Sequence, residues 1–214
     1  MLNTPRSCRG MVTSPHHLAS QAGLDVLKAG GTALEAAVAT AAALAVVYPH
    51  MTGIGGDAFW LTMWPDGRVE TIDACGAAAA RADVGFYRAA GLDAIPWRGP
   101  FAANTVAGTV SGWDMALSWS HAVAPGLPLG RILRDALYYA EQGAPVTASA
   151  AELTARKADE LRDVPGFAAQ FMPGGRLPQV GDILHNPRLA GTLRQLADQG
   201  LDSFYRGPVC LLYT

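Results

Sequence analysis

The stretch Gly53-Ile54-Gly55-Gly56-Asp57-Ala58-Phe59-Trp60 decides how this chain reads. An apolar, helix-like segment, residues 36–48, precedes it and stops at Pro49-His50. An apolar, strand-like segment, residues 58–64, follows it. Three glycines in four positions build no packing surface. Their use is close backbone approach or positive φ, so Gly53, Gly55 and Gly56 are read as a structural turn. Buried helix, glycine turn, buried strand is the order expected of layered α/β packing.

Working toward the N-terminus, Gly30-Gly31 reads as a helix stop, and Thr32 with Glu35 has capping-box spacing for the helix that follows. That helix, residues 33–48, is apolar nearly all round and is expected in the interior. Apolar residues 18, 19, 22, 26 and 27 mark one face of an earlier helix, with Ser14 as its cap and Pro15 at its first position. Residues 9–13 read as a short strand.

Toward the C-terminus, the continuous apolar run 58–64 predicts a strand covered on both faces, with Phe59, Trp60 and Trp64 in the core. Asp66-Gly67 turns the chain into a second strand, giving a hairpin. Residues 77–100 lack a period and read as loop. Helices are expected over residues 111–121, over an amphipathic segment from Leu129 to a stop at Gly143, after a Ser149/Glu152 cap, and from Asn186-Pro187 to a stop at Gly200. Residues 165–178 are a Gly/Pro-rich connection, yet no linker divides the chain.

Composition narrows the function. The 214 residues carry a net charge of −2, so nothing favours nucleic acid. Half the residues are hydrophobic and only 16% are charged, which predicts apolar surface to be covered by a partner subunit or by a further part of the same polypeptide. The longest apolar run is shorter than the ~20 residues that span a bilayer. Residues 1–10 contain no apolar leader segment, so the expectation is cytoplasmic, or periplasmic if a leader precedes this start. Cys8, Cys75 and Cys210 have no metal-ligand spacing and form an odd set. No metal or cofactor is expected.

Several segments together identify a relationship. Ser14-Pro15-His16-His17-Leu18-Ala19-Ser20, Leu27-Lys28-Ala29-Gly30-Gly31-Thr32-Ala33, Val47-Tyr48-Pro49-His50-Met51-Thr52-Gly53-Ile54-Gly55-Gly56, Ala107-Gly108-Thr109-Val110-Ser111-Gly112-Trp113 and Phe204-Tyr205-Arg206-Gly207-Pro208 occur in one order. This series resembles the N-terminal, large-subunit part of the γ-glutamyltranspeptidase (glutathione hydrolase) family, over about residues 10–208. The resemblance implies an α/β (α+β) fold, the αββα sandwich of N-terminal-nucleophile hydrolases, incomplete here. It implies residues 1–209 as a large-subunit region, with 210–214 as a non-native tail resembling a translated sequencing adapter. It further implies autoprocessing and a nucleophilic N-terminal Thr on a small subunit outside this chain. A heterodimer or a dimer of heterodimers would result, acting on a small amide. No catalytic residue is assigned within residues 1–214.

The family's large subunit normally supplies an Arg that holds the α-carboxylate of a γ-glutamyl group, a task suited to a bidentate guanidinium. The matching segment here is Ile72-Asp73-Ala74-Cys75-Gly76-Ala77, with Cys75 at the Arg position. That departure resembles oxamate amidohydrolase-like members and turns the expectation from γ-glutamyl transfer toward hydrolysis of another amide. Cys75, Gly76 and Arg98 are the candidate substrate-binding residues, with Arg81 a weaker one. Each has a plainer reading: Cys75 as an inert lining residue, Arg98 as a guanidinium stacked on Trp97. Asp57 reads equally as a binding residue or a turn residue. His16 and His17 read as structural, because adjacent histidines lack the i, i+4 spacing of a metal pair, and His50, beside the glycine turn, reads as a hydrogen-bonded loop residue. Ser111-Gly112-Trp113 is not a nucleophile elbow, and Gly30-Gly31 is not followed by a phosphate-loop lysine. The competing reading from another class is a non-catalytic domain that binds small acids or assembles with a partner.

Overall fold

In the computed structural model, residues 4–102 and 104–211 are described. In chain order the elements are α1 (His17–Lys28), α2 (Ala33–Val47), β1 (Ala58–Met63), β2 (Val69–Ala74), α3 (Val84–Ala89), α4 (Thr109–Val123), α5 (Leu129–Ile132) and α6 (Arg134–Gln142). These are followed by β3 (Ala144–Pro145), α7 (Ala148–Leu161), α8 (Phe167–Phe171), a 3₁₀ turn (Pro173–Gly175), β4 (Ile183–Leu184), α9 (Pro187–Gln199), α10 (Ser203–Arg206) and α11 (Pro208–Leu211). Helices and short antiparallel sheets together give the expected α+β class. The chain forms two compact units, Met1–Gly53 with Ala116–Thr214, and Ile54–Met115, and the boundary falls inside α4.

The first unit is built around α2. Thr32 accepts from Glu35 N–H through its hydroxyl, and Glu35 accepts from Thr32 N–H at 2.7 Å, so the capping box is complete. The helix has no polar face: Val38, Ala39, Ala42 and Ala43 are all buried, and α1, α5 and α6 pack against it. Gly23 makes the α1 contact possible. A Cβ at Gly23 would lie 2.2 Å from Thr40 Oγ1 and 2.9 Å from the Ala36 carbonyl. Glycine inside a helix costs about 1 kcal/mol relative to Ala, a cost offset here by the close approach it permits.

Glu35 then does more than cap. It is 0% exposed, and its second oxygen accepts from Leu127 N–H at 2.6 Å. Thr32 Oγ1 meets Ser120 Oγ at 2.7 Å. One carboxylate therefore fastens the start of α2 to the loop after α4. On the far side, α9 begins at Asn186, whose side chain accepts from Leu189 N–H, and ends at Gly200 with φ +85. Its Leu193 and Leu196 are buried.

The second unit holds the hairpin β1–β2, paired antiparallel from Ala58↔Ala74 to Met63↔Val69. Gly67 supplies the positive φ of its turn, and Gly67 N–H reaches the Trp64 carbonyl. Ile72 and Ala74 are buried on the inner face. A Cβ at Gly112 would fall 2.9 Å from the Ala74 methyl, so the start of α4 lies directly on the hairpin.

Several expectations are corrected. β1 is not covered on both faces: Phe59, Leu61 and Met63 are 72%, 78% and 77% exposed, because the described residues supply a layer on one side only. Phe59 is thus surface, not core. Residues 9–13 form no strand, since no described strand pairs with them. His16, not Ser14, caps α1: its Nδ1 accepts from Leu18 N–H, while Ser14 Oγ donates to the His16 carbonyl. Thr147, not Ser149, caps α7, because the Ser149 hydroxyl is engaged by Thr147 and His50. Residues 77–100 contain the short helix α3, capped by Asp83. The segment after Leu129 is two helices broken at Leu133 (φ −86, ψ −2). Of the expected tail, Cys210 and Leu211 continue α11, and Leu212, Tyr213 and Thr214 lie outside the described residues.

Candidate substrate-binding site

The turn leaving β2 is where a network of polar contacts converges, all within the second unit. Cys75 N–H donates to Asp73 Oδ1 at 3.0 Å, a local Asx contact that starts the turn. Gly76 N–H donates to Asp57 Oδ1 at 3.0 Å, and the Cys75 thiol points to Asp57 Oδ2 at 3.4 Å. Thr105 Oγ1 adds a contact to Asp57 Oδ1 at 3.4 Å. Asp57 therefore receives donors from two segments far away in sequence, and the turn cannot be described without it.

The backbone of Gly56 and Asp57 is fixed as firmly. The Gly56 carbonyl accepts from Gly108 N–H at 2.9 Å, from Thr109 N–H at 2.8 Å and from Thr109 Oγ1 at 2.8 Å. Thr109 Oγ1 also lies 3.2 Å from the Asp57 carbonyl. Two glycines make the strand-like crossing of residues 74–78 and 105–108 possible. A Cβ at Gly76 would sit 1.5 Å from the Val106 carbonyl oxygen, and one at Gly108 would sit 1.9 Å from the Ala74 carbonyl oxygen. The bridge Ala78↔Thr105 and the bond from Val106 N–H to the Ala77 carbonyl extend the same contact.

Charge follows from these contacts. Gly76 N–H first, then the Cys75 thiol and Thr105, hold the Asp57 carboxyl below the usual carboxylate range. The hydrogen bond to Asp57 is the main cause pushing the Cys75 thiol up, with burial and the charges of Asp57 and Asp73 acting the same way. The thiol is held protonated. In that form it is a weak hydrogen-bond donor.

Of the residues singled out in the sequence, Cys75 and Gly76 share this turn, and Asp57 resolves as their partner. Arg98 lies over Trp97, with its guanidinium carbon 4.2 Å from the ring centroid. Arg81 is exposed. The glycine turn is corrected. Gly53, Gly55 and Gly56 have no positive φ, and a Cβ at any of them would meet nothing within 4 Å. Neither property that glycine offers is used there by the described residues. The close approaches lie instead at Gly76 and Gly108. Thr105, Gly108 and Thr109 were not assigned roles from sequence. Their signal is the small-residue run Ala107-Gly108-Thr109 opening a helix, visible in sequence but mute about its partner at Gly56.

His16 and His17 stack at 4.9 Å, and Tyr48 meets His50 edge-on at 4.3 Å. His16 is 3% exposed, and burial first, then His17 and His50, lower its pKa. This is the structural role expected. No group of three or more His, Cys, Asp or Glu among the described residues is placed to hold a metal ion. No helix of the described residues is long and apolar enough to cross a membrane.

Comparison with known proteins gives the relationship directly. The family model described as gamma-glutamyltranspeptidase matches residues 19–211. The oxamate amidohydrolase proenzyme of Klebsiella pneumoniae is 55% identical over 204 residues, covering 95% of this chain and 38% of that protein. A glutathione hydrolase-like proenzyme of Bacillus subtilis, YwrD, is 40% identical over 198 residues, covering 92% of this chain and 37% of that protein. The chain thus spans under two fifths of the length of these relatives. Among solved structures, Helicobacter pylori gamma-glutamyltranspeptidase superposes with a TM-score of 0.88 at 28% identity, over 98% of this chain and 60% of that one. Cephalosporin acylase from Bacillus halodurans superposes with a TM-score of 0.85 at 34% identity, over 99% of this chain and 41% of that one. With the match running through the hairpin, its exit turn and the start of α4, the chain belongs to the gamma-glutamyltranspeptidase family.

Proposed function

We propose that this chain is the large-subunit region of a self-processing amidohydrolase that cleaves a small amide such as oxamate, in preference to transferring γ-glutamyl groups. The observation that carries the reading is the 55% identity to an oxamate amidohydrolase proenzyme over 204 residues. The exit turn of the hairpin supports it. Cys75 stands where an Arg would be needed to hold the distal α-carboxylate of a γ-glutamyl group, and its thiol offers that group no charge; oxamate has no such distal carboxylate, its one carboxylate being bonded to the scissile carbonyl. Arg98, the alternative cation, is stacked on Trp97. The nucleophile, an N-terminal Thr with its own amine as base, belongs to a small subunit outside residues 1–214. What residues 1–214 provide is the rigid turn of Asp57, Cys75 and Gly76 against which the substrate is positioned.

The test is expression of the full-length gene, with processing followed by gel and mass spectrometry. Ammonia release from oxamate and anilide release from a γ-glutamyl anilide are then compared. The expected result is two subunits, with kcat/KM on oxamate at least about tenfold above that on the anilide, once each is set against its uncatalysed rate. A processed enzyme that prefers the γ-glutamyl anilide overturns the reading. An unprocessed protein without turnover would favour the non-catalytic alternative.

A further inference from the structure

We propose that Asp57 is a positioning and specificity-determining residue, one that locks the Cys75–Gly76 turn and closes it to substrate carboxylates while leaving it open to neutral N–H groups. The inference rests on the amidohydrolase reading above and adds which chemical group of the substrate can face the turn.

Three observations carry it. Asp57 is held from both sides: Gly108 and Thr109 hold the Gly56 and Asp57 carbonyls, and Gly76, Cys75 and Thr105 donate to its carboxylate. Its position is therefore set before any ligand arrives. Next, every donor to Asp57 is neutral. The other carboxylate on the turn, Asp73, accepts from Cys75 N–H, and neither forms an ion pair among the described residues. Two uncompensated negative charges therefore flank Cys75. An approaching carboxylate meets like charge, whereas the N–H₂ of an amide finds an acceptor, so a substrate such as oxamate would face the turn with its amide and turn its own carboxylate away. Finally, Gly76 cannot carry a side chain, since a Cβ would lie 1.5 Å from the Val106 carbonyl oxygen. The turn cannot yield to bring a distant cation in. An Arg placed at position 75 would meet Asp57, whose oxygen already lies 3.4 Å from the thiol sulfur, and would be neutralised there.

The experiment uses the full-length gene product and two readouts that need no turnover. The first is the rate of Cys75 alkylation by iodoacetamide against pH, resolved by peptide mass spectrometry, in wild type, Asp57→Asn and Asp73→Asn. Removing the Asp57 charge is expected to move the midpoint of the Cys75 profile to lower pH, with a smaller move for Asp73→Asn and none at Cys8. Mere loosening of the turn would change the plateau rate and leave the midpoint in place, so an unmoved midpoint overturns the proposal. The second readout is calorimetric binding of L-glutamate against 4-aminobutanoate, which lacks the α-carboxylate. Wild type and Cys75→Arg are expected to discriminate less than about threefold, and Cys75→Arg/Asp57→Asn about tenfold or more in favour of glutamate. Discrimination by Cys75→Arg alone equal to that of the double variant overturns the proposal. Oxamate turnover, measured separately on wild type, reports on the amidohydrolase reading alone.

Discussion

Glu35→Gln is the most informative single substitution in the first unit. The carboxylate is fully buried, with one oxygen on Thr32 N–H at 2.7 Å and the other on Leu127 N–H at 2.6 Å and 3.7 Å from His121 Nε2. An amide of the same shape offers one oxygen and one N–H₂ group. One backbone N–H keeps an acceptor, and the other faces a donor. A hydrogen bond to a carboxylate contributes about 1.5–3 kcal/mol, and an orphaned buried donor costs a comparable amount, so a loss of about 2–3 kcal/mol is expected. Glu35→Ala strands both N–H groups and should cost about 3–5 kcal/mol. Thr32→Ala removes the cap on Glu35 N–H and the Ser120 contact, for about 1–2 kcal/mol. Urea unfolding of the purified protein, followed by two probes, measures each change and the coupling between the Glu35 and Thr32 variants. A Glu35→Gln cost under about 0.5 kcal/mol, or equal losses for Gln and Ala, would refute the account of one carboxylate fastening two segments.

Other outcomes are expected. In the 214-residue chain Gly76→Ala and Gly108→Ala should each collapse soluble yield, because their methyl groups meet backbone carbonyls that no rotamer change relieves, whereas Gly55→Ala, in open space there, should be tolerated. Thr109→Val removes the hydroxyl on the Gly56 and Asp57 carbonyls and should lower Tm by several degrees, on the order of 1–2 kcal/mol, read by differential scanning fluorimetry. For His16, the folded pKa is lowered, so its contribution is present above the unfolded value near pH 6.5 and is lost as pH falls through the folded value. Tm should therefore fall on acidification, and His16→Asn, which keeps a cap without titrating, should flatten that slope; an unchanged slope would remove His16 as the cause. Leu61→Lys on the open hairpin face should raise the soluble yield of the 214-residue chain with a stability change within about 0.5 kcal/mol, checked by sedimentation and urea unfolding.

What was legible in the sequence was local. The Thr32/Glu35 box, the Asp66-Gly67 turn, the Pro187 start and the Gly200 stop depend on residues a few positions apart, and each forms as read. So did the buried course of α2, because an Ala/Val segment without a polar face has nowhere else to go. The misreadings were contests between near-equivalent neighbours or questions about distant partners. Thr147 and Ser149 are both good caps, and His50, 99 residues away from Ser149, claims the second. The exit turn was found through Cys75 and Gly76, but Asp57 stayed undecided because its donor Thr105 lies 48 residues away. The glycine run was assigned the close approaches that Gly76 and Gly108 make, since composition marks where a side chain is missing without saying what takes its place.

The place of α2 in the chain also has a consequence in time. Its burial needs α6, which leaves the ribosome roughly ninety residues later, after the whole of the second unit has been made. At about 5–20 residues per second, that interval is on the order of ten seconds. Through it, α1 is the one packing partner from its own unit already synthesised. A helix with no polar face must therefore wait half-clothed during synthesis, its apolar surface open until the later helices arrive.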